Sequence, residues 1–172
     1  RDPQGMGPVS ARQPGGGFSL IDSIQIIDAI SGQLVRAAPS CKAVYLDRVP
    51  AGFERPSFLI ENIESEVREV NANTIERTER FVITAFGGVD SYGNTGAREL
   101  MELQEQAARA FCAGYLRVAD RALKLAAHNG ARDMDKATID VQLRYNESRP
   151  QDPQARPEPP LMAQVHTLIQ EG

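Results

Sequence analysis

Apolar residues early in the chain recur at helical spacing. Leu20, Ile24, Ile27, Ile30 and Leu34 stand three or four positions apart, which predicts an amphipathic helix over 18–37. Ser19 is placed to cap it, Asp22 falls in the first turn where the helix dipole favours an anion, and Pro39-Ser40 ends it. The pattern then becomes extended. Residues 42–49 read as a strand, 50–53 as a turn cluster, and 57–63 as a second strand whose Phe58-Leu59-Ile60 run predicts burial on both faces.

From 64 to 80, charged residues alternate with Val67, Val70 and Ile75 around Asn71-Ala72-Asn73. This predicts a long hairpin whose outer half projects beyond the core. Residues 81–86 return as a third strand, with Phe81, Ile83 and Ala85 on one face. A glycine-rich loop over 87–96 follows, and Asn94 or Thr95 is placed to cap a second helix over about 97–113. Leu100, Leu103, Ala107, Ala110 and Phe111 form its apolar stripe, and Gly114 is a suitable stop. Residues 122–132 and 137–147 read as a terminal hairpin. Its second strand is clear, because Ile139, Val141, Leu143 and Tyr145 alternate with polar neighbours. The first is ambiguous, since the Ala-rich stretch 117–127 would equally extend the helix.

Strands joined by short links favour an α+β fold: a mostly antiparallel sheet of about five strands with two helices packed on one face. The ends read differently. Residues 1–17 carry Pro3, Pro8 and Pro14 and finish in Gly15-Gly16-Gly17, the composition of a disordered arm. Residues 148–160 hold Pro150, Pro153, Pro157, Pro159 and Pro160 and read as an extended linker. Beyond it, Leu161, Val165, Leu168 and Ile169 share one face of a short amphipathic piece, either a docking segment or a frayed tail. The expected organisation is thus an arm (1–17), a domain (18–147), and a linker with docking segment (148–172).

Composition narrows the function. At 172 residues the chain suits one domain. A net charge of −4 gives no basic footprint, so DNA is expected only as passing cargo. The absence of Trp argues against an aromatic stacking surface. Two cysteines, Cys41 and Cys112, are expected to be reduced, the sparse pattern of an intracellularly made protein. No apolar run is long enough for a membrane span, and the first residues lack the pattern of a signal peptide.

Catalytic, cofactor and metal sites are not expected. His128 has no Ser or Cys in a nucleophile context, and neither a Gly-x-Ser-x-Gly elbow nor a His-Glu-x-x-His helix occurs. The loop 87–96 lies between strand and helix, where phosphate loops sit, but lacks their Gly-Lys-Ser/Thr ending and reads as a connector. Glu61, Glu64, Glu66 and Glu69 read as an exposed hairpin, since a paired acid and base would need a cleft. A two-stranded ribbon has little core of its own, so something else is expected to keep this one ordered. Glu64, Glu66, Arg68, Glu69, Arg77 and Arg80 on the ribbon, with Leu161, Val165 and Leu168 in the tail, are therefore the candidate interface.

Three stretches carry a family resemblance. Residues 44–60 run a strand into Gly52-Phe53, then Pro56, then Phe58-Leu59-Ile60. Residues 76–86 form an Arg-rich strand ending in Phe86, and 137–146 a closing strand ending in Tyr145-Asn146. Together they resemble the phage tail terminator proteins over roughly 20–147. Ser57 stands where many relatives carry Cys. The resemblance implies a structural virion protein without a catalytic site. Such proteins form a ring, commonly hexameric, that caps the tail tube, stops its growth and offers a surface to the neck or connector. In contractile tails the ring also meets the sheath. The partners implied are other copies of the chain, the tube protein and the neck protein at the tail–neck junction. Another neck or head–tail joining protein is the nearest alternative, and a small ligand-binding or enzymatic α+β domain is a further one.

Overall fold

The computed structural model describes residues 20–150. The arm (1–17) and the segment containing Leu161, Val165 and Leu168 lie outside the described residues. The elements are α1 (Ser23–Ala37), β1 (Ala43–Leu46), β2 (Ser57–Asn71), β3 (Thr74–Phe86), α2 (Ala97–Ala110), β4 (Tyr115–Val118), β5 (Arg121–Arg132) and β6 (Lys136–Ser148). The fold is α+β with two helices and a mixed sheet, as expected in class. Among the described residues the sheet has six strands in the order β1-β2-β3-β6-β5-β4, and β1 pairs with β2 in parallel. The residues after Gly114 do not continue the helix. They form β4 and the start of β5, because Leu116 and Leu123 pair and bury on the same face.

Both helices close one face of the sheet over one core. Ile26, Ile30 and Leu34 of α1 and Leu100, Leu103 and Ala107 of α2 pack with Phe81 and Ile83 of β3 and Ile139, Val141 and Leu143 of β6. The alternation of β6 predicted this face; the stripe of α1 did so only in part. Its buried side is the Ile26–Ile30–Leu34 line, leaving Leu20 and Ile24 more than half exposed. Asp22, not Ser19, is the cap: its carboxylate accepts from Ile24 N, and Gln25 Oε1 accepts from Asp22 N. α2 starts at Gly96 without a side-chain cap, because Thr95 is held in a bridge to Val89.

One expectation about the ribbon is corrected. The β2–β3 hairpin is not a two-stranded arm standing off the sheet. β3 pairs with β6 along its whole length, from Phe86↔Lys136 to Thr74↔Ser148. The two strands are equally long, 13 residues each, so the ribbon has a third strand as far as its tip. Only the outer half of β2 lacks a second neighbour, since β1 covers no more than Ser57–Ile60. Every residue from 62 to 71 there is exposed.

Candidate subunit interface

The candidate residues separate into two groups. A register shift between Asn62 and Glu64 sets the division. Before it, Phe58 and Ile60 share the helix-covered face with Ala85 and Ile83. The bulge adds a residue and reverses the parity. Beyond it Glu64, Glu66 and Arg68 lie opposite Arg80, Thr78 and Glu76 on the far face, while Ser65, Val67 and Glu69 lie on the helix side opposite Glu79, Arg77 and Ile75. Glu64, Glu66, Arg68 and Glu69 are thus exposed on an unpaired edge, as the pattern predicted.

The far face is a lattice of half-buried and exposed charges. Arg80 reaches Asp140 at 3.0 Å and Glu64 at 4.0 Å, and Arg144 lies 3.9 Å from Glu76. Such pairs contribute only about 0–1 kcal/mol each. Arg80 is therefore tied into its own subunit across β2, β3 and β6. Glu66, Arg68, Glu76, Thr78 and Arg144 line a shallow polar depression on this face.

Arg77 belongs to a different structure. On the helix side, the apolar rows of β3 and β6 end in a buried polar cluster below the start of α1. Glu79 is fully buried and Glu147 is 3% exposed. Glu79 accepts from the Tyr145 hydroxyl at 2.9 Å, from Ser23 Oγ at 3.2 Å and from Asn62 Nδ2 at 3.2 Å. Glu147 Oε1 accepts from Ile21 N at 2.7 Å. Arg77 sits between the acids, with Nη1 3.6 Å from Glu79 and Nε 3.2 Å from Glu147. The Nε contact lacks hydrogen-bond alignment, so it acts as a coulombic pair. Arg121 approaches Glu147 at 4.0 Å and lies over the Tyr145 ring. Two acids are thus matched by two guanidinium groups, the condition for burying charge at tolerable cost. Burial, then the Glu79 charge, pushes the Tyr145 phenol well above its ordinary pKa.

Sequence reading missed this cluster, since Glu79 and Glu147 look like surface positions in alternating strands. The available signal was parity: both fall on the same face as Phe81 and Val141.

The other candidates for chemistry are occupied by structure. In the loop 87–96, Asp90 Oδ1 accepts from Tyr92 N at 2.8 Å and Asn94 N at 2.9 Å. The backbone bonds to Asn94 and Tyr92 hold the Asp90 carboxyl below its usual range. The Gly88 N–H, a donor a phosphate loop would present, is taken by Glu99 at 3.0 Å. Glu61, Glu64, Glu66 and Glu69 do not converge, and among the described residues no group of His, Cys, Asp and Glu is placed to hold a metal ion. Cys41 and Cys112 are both free. Cys41 packs against the core, and burial pushes its thiol up, whereas Cys112 is exposed and fills no gap. No described helix is long and apolar enough to cross a membrane.

The described residues thus form a curled α+β domain with charge on an open strand edge and a strand–helix loop whose polar groups are satisfied internally. The family described as phage tail terminator protein matches residues 25–155, most of the chain, and this chain belongs to that family. It is a phage tail protein of a structural family. No curated protein matches the sequence.

Proposed function

We propose that the chain forms a ring that caps the phage tail tube, stops its elongation and offers the docking surface for the neck. Membership of the tail terminator family supports the position, and the open outer half of β2 is the observation that supports assembly. An unpaired strand edge of that length offers its free main-chain groups to another chain, and charge along it excludes partners that do not match the pattern. Here Glu64, Glu66, Arg68 and Glu69 give it a specific charge pattern. Contact from this edge to a different surface of the next copy is heterologous, and closes into a ring, here a hexamer. The tube protein below, the neck or connector protein above and, in a contractile tail, the sheath are its further partners at the tail–neck junction. The role is structural, with no catalysis and no cofactor. The far face alternates acids with Arg80, Arg144 and Arg68, so among the described residues it offers no basic stripe to retain DNA passing through.

The test is genetic and microscopic. Phage lacking this chain should make over-long tails that do not join heads. Tails of normal length that join heads would refute the proposal.

A further inference from the structure

The neighbour's contribution to this edge is the remaining question, and the path of the chain out of the domain addresses it. β6 ends at Ser148, and Arg149 is fixed at the ribbon tip: its N–H donates to Asn73 O at 2.8 Å, and its guanidinium pairs with Glu69. Everything after Pro150 therefore starts at the far end of the free β2 edge.

That edge carries an apolar strip. Val67 on the helix side and Ile63 and Val70 at the two register shifts of β2 are each at least half exposed, as are Leu20 just before α1 and Ile24 in its first turn. The two groups lie at one level of the sheet. Ser23 bonds Glu79, whose β2 partner is Ser65, and Ile21 bonds Glu147, which is opposite Ile75 and, through it, Glu69. The first turn of α1 thus stands level with 65–69, and Val67 lies between them on the helix side. About half of each of these side chains stays open to solvent within its own subunit.

We propose that this strip and edge receive the tail segment 161–169 of a neighbouring copy. The reading rests on the ring proposed above and names its arm. The segment places Leu161, Val165 and Ile169 four positions apart, so they share one side whether it binds as an added strand or as a helical turn. Chain length brings a neighbour's edge within reach. The Pro-rich residues 150–160, read as an extended polyproline linker, span about 34 Å at about 3.1 Å per residue. The free edge from 61 to 71 is about as long, at about 3.4 Å per residue. With the linker extended outward from the tip, 161–169 would lie up to an edge length from its own strip, which brings another copy within reach.

Two full-length variants test this. One carries Leu161→Ser, Val165→Ser and Ile169→Ser in the tail; the other carries Val67→Glu and Ile24→Gln in the strip. Association is read by sedimentation, and folding by thermal unfolding. Each variant alone should associate about tenfold or more weakly than the parent chain. An equal mixture should recover pairwise association but not closed rings, because the strip of the first accepts the tail of the second while the strip of the second and the tail of the first stay blocked. A tail variant that associates like the parent overturns the proposal, and its thermal unfolding checks that the domain is intact. A mixture that recovers nothing overturns it too, since it means each tail serves its own subunit. The terminator role is read separately from tail length: a tail variant that associates normally and still terminates tails removes the arm and leaves the ring.

Discussion

Tyr145 and Glu79, from the paired strands β6 and β3, share a hydrogen bond of 2.9 Å at the point where the apolar core gives way to buried charge. Together with Ser23 and Ile21 they fasten the start of α1 to the sheet. Replacing Glu79 with Ala would leave Arg77 half-buried beside a single acid and strip Tyr145, Asn62 and Ser23 of their acceptor. The expected loss is about 3 kcal/mol in denaturant unfolding. Glu79→Gln keeps the side chain's shape and one of its two acceptor oxygens and should lose less. Equal stability of Glu79→Ala and the parent chain would mean the cluster does not hold the helix.

The raised pKa of Tyr145 gives a pH signature. Its folded value lies above the unfolded one, which is about 10. Its contribution is therefore complete below about pH 10 and is lost as pH rises through the folded value. Stability should fall across that alkaline range, and Tyr145→Phe should flatten the fall while costing about 2 kcal/mol at neutral pH. The phenolate absorbance of the folded protein should show one of its four tyrosines titrating late, and this late component should vanish in the variant.

Arg77 and the edge residues should behave oppositely on substitution. Changing Glu64, Glu66, Arg68 and Glu69 to Ser touches only exposed positions, so each change should alter stability by about 0.5 kcal/mol or less while association weakens. Arg77→Ala removes the group between two buried acids and should destabilise the monomer by about 3 kcal/mol. The measurement is denaturant unfolding beside sedimentation for both sets.

Ser57 is buried at the start of β2, and its hydroxyl has no hydrogen-bond partner among the described residues. An unsatisfied buried hydroxyl costs about 1–3 kcal/mol. Ser57→Cys replaces it with a group that tolerates apolar surroundings. A gain of about 1 kcal/mol in unfolding free energy is expected; a loss would mean the hydroxyl is satisfied.

Much of this fold was legible in periodicity. α2 and β6 announced themselves through Leu100 and Leu103 and through Ile139, Val141, Leu143 and Tyr145, because burial on one face leaves a period in the sequence. The partnership of β3 with the end of β6 was not legible, because pairing between segments distant in sequence leaves no local mark. Without it, Arg77 looked like a tip residue and the ribbon looked self-unsupported. β4 was missed because a strand of four residues is too short to show a period. The edge residues Glu64, Glu66, Arg68 and Glu69 were legible for the converse reason: nothing buries them, so their charge is their only pattern. The expected tail residues Leu161, Val165 and Leu168 lie beyond the described domain and enter only through the proposed arm.

The account turns on the free half of β2 becoming an interface in the assembled particle. Amide hydrogen exchange of residues 61–71, compared between dilute subunits and assembled rings or tails, tests it directly. Strong protection on assembly of the amides there that point away from β3 is the predicted result, with little change in β3, which is already paired on both sides. Amides of 61–71 that exchange equally fast in the assembled particle and in the free subunit would contradict it.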